Sequence, residues 1–174
     1  MLRLEHRWVW DFWLAQTRGA FHVFYLQAPK TLGHEALRHK NASIGHAVSE
    51  DLISWTVLRD AIGPGPAEEW DDLATWTGSV VEHDGSWYML YTGVSTVDGG
   101  LVQKIGLATS PDLVIWTKHY ANPVWSRTLA GTRNSIPFSG LRAEEQIDPS
   151  AKCQVLESIR CPSIRASRIR CPKI

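Results

Sequence analysis

Apolar and polar side chains alternate along most of the first 124 residues, with the period of two that β-strands show. Short turn signals, "TRGA", "HDGS", "SPDL" and "DGG", separate the alternating runs. The loop "IGPGPAEEWDDL" divides these runs into two groups of four. The pattern therefore predicts an all-β fold. We expect strands at residues 8–16, 21–28, 43–49, 55–62, 75–83, 87–94, 104–109 and 114–119.

The two groups of strands are copies of one another. Segment 43–58, "SIGHAVSEDLISWTVL", aligns with 104–119, "KIGLATSPDLVIWTKH", at an offset of 61 residues, and 20–27 aligns with 86–93 at an offset of 66. Four strands in each repeat are typical of β-propeller blades. A two-sheet sandwich would explain the strands but not their recurrence in the same order. We predict an incomplete β-propeller over residues 1–124, with about two blades, at 8–62 and 74–119.

A single carboxylate stands in the most aromatic strand, "WVWDFWLAQ", residues 8–16. Strict alternation would place Trp10 and Phe12 on one face of this strand, and Asp11 and Trp13 on the other. An ionised carboxylate among aromatic rings costs free energy unless it is paired or meets water. Asp11 is therefore either a structural group, satisfied by a backbone turn or an arginine, or a functional acid at a wet channel.

Composition changes abruptly after residue 124. Residues 1–124 carry 9 Lys and Arg against 14 Asp and Glu, whereas residues 125–174 carry 9 against 4. The second part repeats Ile-Arg-Cys-Pro and has few aromatic residues that could form a core. We predict that residues 125–174 form an irregular, basic, low-complexity and disordered tail. Its basic residues are spaced rather than clustered, which favours a solvated tail over a nucleic-acid or membrane partner.

Several functional classes lack their sequence signals. No apolar run is long enough for a membrane span, and the start "MLRLEHRW" lacks the apolar core of a secretory signal, so we expect a cytoplasmic location. No phosphate-binding glycine loop or dinucleotide fingerprint is present, so no cofactor is expected. Cys153, Cys161 and Cys171 are spaced by 8 and 10 residues, without the pattern of a zinc site, so no metal is expected. The oligomeric state has no signal in the sequence.

Five motifs, in order along residues 8–124, resemble the five-bladed propeller glycoside hydrolases. The resemblance implies that the predicted all-β fold is an incomplete five-bladed β-propeller of about two blades, followed by the irregular tail. The similarity is greatest to the N-terminal domain of the fructofuranosidases (invertases and inulinases, family 32), and the arabinofuranosidases and arabinanases of family 43 come second. One departure is that the family's Asp-Pro-Asn-Gly turn is absent, since "FWLAQ" follows Asp11. The motifs are "WVWDFWL", "HVFYLQAP", "IGHAVSEDLISW", "WTGSVV" and "QKIGLATSPDLVIWTKHYANPV".

The resemblance implies roles for particular residues. Asp11 would be the nucleophile or catalytic base. The family also has a transition-state-stabilising Asp in an Arg-Asp-Pro motif, for which Asp148 is the candidate here, although the Arg is missing. No general acid can be assigned. Residues that would bind substrate are Trp10, Gln27, Trp76 and Thr77.

We therefore expect a glycosidase that hydrolyses furanosides, based on fructose or arabinose, with a carbohydrate as its partner. Such hydrolysis usually needs two carboxylates beside the scissile bond, and the chain supplies one clear candidate. The absence of assignable partners for Asp11 keeps two alternatives open. One is a carbohydrate-binding propeller fragment without catalysis, and the other is a non-functional fragment whose open sheet edges promote aggregation.

Overall fold

Two separate antiparallel sheets make up the computed structural model, which describes residues 2–126. The all-β prediction is confirmed, because the helical segments are short 3₁₀ turns between strands. None of the helices in residues 2–126 is long and apolar enough to cross a membrane. The strands are β1 (Arg7–Gln16), β2 (Phe21–Pro29), β3 (Ser43–Ser49), β4 (Thr56–Val57), β5 (Ala74–His83), β6 (Ser86–Val94), β7 (Lys104–Ser110), β8 (Thr117–Lys118) and β9 (Trp125–Ser126), and the 3₁₀ helices are Lys30–Leu32, Glu35–Asn41 and Thr96–Asp98.

Each sheet is a simple meander in which every strand pairs with the next one along the chain. The first sheet has the order β1-β2-β3-β4, and the second has the order β5-β6-β7-β8. We call these sheets blade 1 and blade 2. The short strand β9 also belongs to blade 2, since it pairs with β7. Two successive four-stranded meanders match propeller blades, not the Greek-key order of most sandwiches.

The last strand of each blade is much shorter than expected, and a side-chain-capped turn comes before it. In blade 1, Asp51 accepts hydrogen bonds from the backbone amides of Ile53 and Ser54 at 2.8 and 2.7 Å. In blade 2, Asp112 accepts the equivalent bonds at 2.8 Å each. Asx turns of this kind compete with strand pairing. Each of β4 and β8 has only two residues.

The main apolar core lies between the two blades. Phe24 of blade 1 and Leu113 of blade 2 both belong to it and are completely buried. The ring of Phe24 meets the edge of Trp116 of blade 2 at a centroid distance of 5.7 Å. This core fixes blade 1 against blade 2 and so determines how their first strands, β1 and β5, lie side by side.

The start of the predicted tail differs from the expectation. Trp125 and Ser126 form β9 and pair with Ile105 and Lys104, respectively, so these two residues continue blade 2. The prediction of disorder for the rest of the tail falls on residues 127–174, which lie outside the described residues.

Candidate active site

Asp11 occupies a β-bulge in the first strand of blade 1. Trp10 pairs with Leu26 and Phe12 pairs with Tyr25, which leaves Asp11 as an extra residue without a partner. Its φ angle is +38°, a left-handed conformation that costs a non-glycine residue about 1–2 kcal/mol. Asp11 is exposed to solvent. The fold thus strains the backbone at the one position where β1 carries a carboxylate.

The bulge also shows why strict alternation was the wrong prediction for this strand. An extra residue moves every later side chain to the opposite face of the sheet. Trp10 before the bulge and Trp13 and Ala15 after it all pack against the core between the blades. Phe12, which alternation placed with Trp10, is instead exposed. Asp11 is therefore free of the aromatic core that surrounds it in the sequence.

Thr77 occupies the equivalent bulge of blade 2. Trp76 pairs with Thr92 and Gly78 pairs with Tyr91, so Thr77 is the extra residue of β5, 66 positions after Asp11. The hydroxyl Oγ1 of Thr77 donates a hydrogen bond to Oδ2 of Asp11 at 3.1 Å. The two bulges therefore meet, and one hydroxyl orients the carboxylate of the neighbouring blade.

A 3₁₀ helix, Glu35–Asn41, supports the tryptophans that precede the two bulges. Trp76 donates its indole Nε1–H to the backbone oxygen of His39 at 2.7 Å. The guanidinium carbon of Arg38 lies 5.2 Å from the centroid of the Trp10 ring, and the His39 ring meets Trp10 edge-on at 5.6 Å. Glu35 forms an ion pair with Arg38. This one helix therefore contacts both tryptophans. Nothing in the sequence indicated that it lies at the site.

The other predicted site residues are not brought to this pair. Gln27 is 1% exposed and donates a hydrogen bond to the hydroxyl of Ser43 at 3.3 Å; within residues 2–126, none of its side-chain hydrogen bonds reaches Asp11 or Thr77. Trp10 and Trp76 are half-buried, and both pack against the core while lying next to the bulges. Asp148 lies outside the described residues. The roles of these residues in binding stay predictions.

Two further polar groups, Asp71 and His46, are buried in the described part of the chain. Asp71 reads as a solvated loop residue, but its carboxylate is buried and accepts from Lys118 Nζ at 2.7 Å and from Tyr91 Oη at 3.0 Å. Burial, together with the Asp71 charge, raises the pKa of Tyr91. His46, expected to be a buried and hydrogen-bonded histidine, is confirmed as one by its 2.9 Å contact with His22.

The arrangement provides one oriented carboxylate. Within residues 2–126, Thr77 is the one hydrogen-bond partner of the Asp11 side chain, and no ion pair neutralises it. In the same part of the chain, no three His, Cys, Asp or Glu side chains are grouped to hold a metal ion. An ionised carboxylate at a wet surface can act as a nucleophile or a base, whereas a proton-donating partner must come from elsewhere.

Comparisons with a family model and with curated relatives point to the same family. The sequence model of the glycosyl hydrolases family 32 N-terminal domain matches residues 13–136, beginning two positions after Asp11. An acid β-fructofuranosidase from Solanum lycopersicum is 38% identical over 138 residues, which are 76% of this chain and 19% of the relative. The chain thus spans about a fifth of the length of such curated relatives.

Solved structures give the same result. Fructan 1-exohydrolase IIa from Cichorium intybus, in complex with 1-kestose, is similar with a TM-score of 0.61 and 30% identity, over 73% of this chain and 23% of that one. A family 117 glycoside hydrolase from Zobellia galactanivorans has a TM-score of 0.59 at 22% identity, over 70% and 34%, and shows the shared fold alone. The fold is thus part of a five-bladed β-propeller, and the chain belongs to the family of glycosyl hydrolase family 32 N-terminal domains.

Proposed function

We propose that this chain supplies the nucleophile-bearing part of a glycoside hydrolase that acts on β-fructofuranosides, with Asp11 as the nucleophile. The observation that carries the proposal is the hydrogen bond between Thr77 and Asp11, which orients a strained, exposed carboxylate. Strained backbone that neighbouring structure maintains is concentrated at functional sites. Family membership suggests what this carboxylate does, since in retaining glycosidases a carboxylate attacks the anomeric carbon of the substrate as the nucleophile.

The substrate class follows from the relatives. The tomato relative is named as an acid β-fructofuranosidase, and the chicory structure contains 1-kestose. A half-buried tryptophan precedes each bulge, at Trp10 and Trp76, and an indole ring there offers an apolar platform for a sugar. Fructose-containing oligosaccharides are therefore the substrates to test first, with arabinofuranosides as the comparison.

The second candidate function is fructoside binding without turnover. The surroundings of Asp11 favour this function. Within residues 2–126, the Asp11 side chain hydrogen-bonds to Thr77 and to no second carboxyl group that could donate a proton. A glycosidase that lacks its proton donor still binds sugar through its aromatic and polar groups. The two candidates differ in one measurable property, the release of free fructose.

The test uses the full chain, its Asp11→Asn variant and its Thr77→Val variant. Release of fructose from sucrose and 1-kestose is measured together with binding of 1-kestose by calorimetry. We expect Asp11→Asn to lower fructose release by at least about 1000-fold while leaving binding within a few-fold, because the amide keeps the shape but cannot attack. Thr77→Val should lower release less, since it loosens the carboxylate without removing it.

Each outcome selects one reading. Equal release by the wild type and Asp11→Asn would remove Asp11 from catalysis. Binding of 1-kestose with no release by the wild type selects the binding function. Release of arabinose from an aryl arabinofuranoside, but none of fructose, would correct the substrate class, and absence of both binding and release overturns the whole proposal.

A further inference from the structure

The tryptophans that precede the two bulges, Trp10 and Trp76, are equivalent in the repeat but are held in different ways. The offset of 66 residues relates them, and both pack against the core between the blades. Trp76 donates its indole Nε1–H to the backbone oxygen of His39 at 2.7 Å. The Nε1 atom of Trp10 is buried and has no hydrogen-bond partner within residues 2–126. In this part of the chain, packing and ring contacts therefore hold the Trp10 ring, without a hydrogen bond.

Arg38 is the charged group that contacts the Trp10 ring. Its guanidinium carbon lies 5.2 Å from the ring centroid, within the range of a cation–π interaction. Glu35, three residues earlier in the same 3₁₀ helix, forms an ion pair with Arg38. The Nε atom of Arg38 is buried and has no hydrogen-bond partner within residues 2–126. The carboxylate of Glu35 and the ring of Trp10 are therefore the two groups that fix the guanidinium among the described residues.

The strained backbone of Asp11 directly follows the residue that Arg38 contacts. Asp11 has a φ angle of +38°, and such a conformation persists only where the surrounding structure maintains it. We infer that Arg38 is a positioning residue: by holding the Trp10 ring, it keeps the bulge at Asp11 in the conformation that directs the carboxylate to Thr77 and to a substrate. The catalytic part of this inference rests on the proposed function, whereas the effect on the bulge does not depend on it.

Four variants of the full chain separate the contact of Arg38 with Trp10 from a general loss of charge on the helix. Arg38→Met removes the cation but keeps an unbranched side chain, and Arg38→Lys restores a cation. Glu35→Gln weakens the ion pair at an exposed residue, so it tests the same contact with little effect on folding. Lys40→Met is the matched control, because Lys40 is an exposed cation in the same helix. Urea unfolding checks that every variant is folded.

The first measurement does not need activity. Backbone ¹³C chemical shifts, which depend on φ and ψ, are compared at the Asp11 bulge and at the equivalent Thr77 bulge. We expect Arg38→Met to change the shifts several-fold more at Asp11 than at Thr77, because a backbone oxygen that no side-chain change removes holds Trp76. Glu35→Gln should give a smaller change at Asp11, and the Arg38→Lys and Lys40→Met variants should resemble the wild type. Equal changes at both bulges, or an unchanged Asp11, would overturn the inference.

The second measurement is the release of fructose from 1-kestose. We expect Arg38→Met to lower kcat by roughly 10–100-fold and to change KM much less, because a misdirected carboxylate attacks poorly even when the substrate is bound. Arg38→Lys should recover most of kcat, and Lys40→Met should match the wild type. An unchanged kcat in Arg38→Met, with or without a higher KM, would show that Arg38 does not position the nucleophile. If the wild type releases no fructose, the proposed function fails, and the chemical shifts alone then decide the role of Arg38.

Discussion

The buried histidine pair predicts that acid weakens this fold between pH 7 and pH 5. Nδ1 of His22 and Nε2 of His46 are 2.9 Å apart, so one ring donates and the other accepts. His46 Nδ1 is buried and has no partner within residues 2–126. We assign the bonding proton to His46 Nε2, because the other tautomer would bury an unpaired N–H. A further proton on either ring would break the bond or enter the core.

The magnitude follows from the shifted pKa of His46. Burial, followed by the neighbouring His22, lowers that pKa from 6.5 to about 4, although Asp112 of blade 2 opposes the shift. Burial also lowers the pKa of His22. Because the unfolded chain takes up the proton first, stability is complete above pH 6.5 and falls as the pH drops toward 4. Between pH 7 and pH 5, His46 alone should cost about 2 kcal/mol of unfolding free energy.

The assay is urea unfolding at pH 7 and pH 5, followed by tryptophan fluorescence at one fixed protein concentration. His46→Leu is the informative variant, because leucine stands at the equivalent position of blade 2, Leu107. We expect this variant to lose at least about 1.5 kcal/mol less than the wild type over that interval. His6→Asn, which changes an exposed histidine, should match the wild type.

The carboxylates of Asp51 and Asp72 do not obscure this interval. Hydrogen bonds from the backbone amides of Ser54 and Ile53 and from the Ser49 hydroxyl lower the pKa of Asp51 to about 2, and bonds from Thr96 lower that of Asp72 to about 2. The stability that these groups supply is lost only as the pH falls below about 4. If the wild type and His46→Leu lost the same free energy between pH 7 and pH 5, the assignment of the acid sensitivity to this pair would be refuted.

Two further predictions concern the packing of blade 2. Lys118→Met should lower the unfolding free energy by about 3 kcal/mol in urea titrations, because it leaves the buried Asp71 carboxylate without its cation. The double variant Asp71→Asn/Lys118→Met should recover most of that loss, and no recovery would contradict a charge origin. Gly106→Ala should cost about 1–3 kcal/mol, since its Cβ would lie 2.6 Å from the Trp70 ring and 2.7 Å from the Tyr91 ring. Gly63→Ala, with no atom within 4 Å of the new Cβ, is the matched control, and an equal cost at both positions would contradict the packing argument.

The fold could be predicted to a large extent because its evidence is repetitive. Alternation reveals strands, and the offsets of 61 and 66 reveal that the strands form two equivalent units. The structure carries the repeat into backbone detail, with bulges at Asp11 and Thr77 and left-handed residues at Leu52 and Leu113. Of these features, the left-handed residues belong to local turns, because the capping aspartates Asp51 and Asp112 lie one position before them.

The sequence was enough to single out one candidate site residue, but not to give the geometry around it. Asp11 was a candidate because it is a lone carboxylate among aromatic residues, and Thr77 was a candidate because it belongs to a motif in the second repeat. Their hydrogen bond joins residues 66 positions apart and exists because the core between the blades sets β1 beside β5. The support of Trp10 and Trp76 by the helix Glu35–Asn41 is likewise a tertiary contact without a sequence period.

The sequence by itself thus determined that this chain forms repeated four-stranded sheets and that one strand carries an isolated acid. Only the tertiary structure decided that a bulge reverses the alternation after Trp10, so that Asp11 leaves the core and meets Thr77. It also decided that Asp71 is buried with Lys118 and that His22 faces His46. The physical reason is that alternation describes one strand at a time, whereas burial and pairing depend on which strands the folded chain brings together.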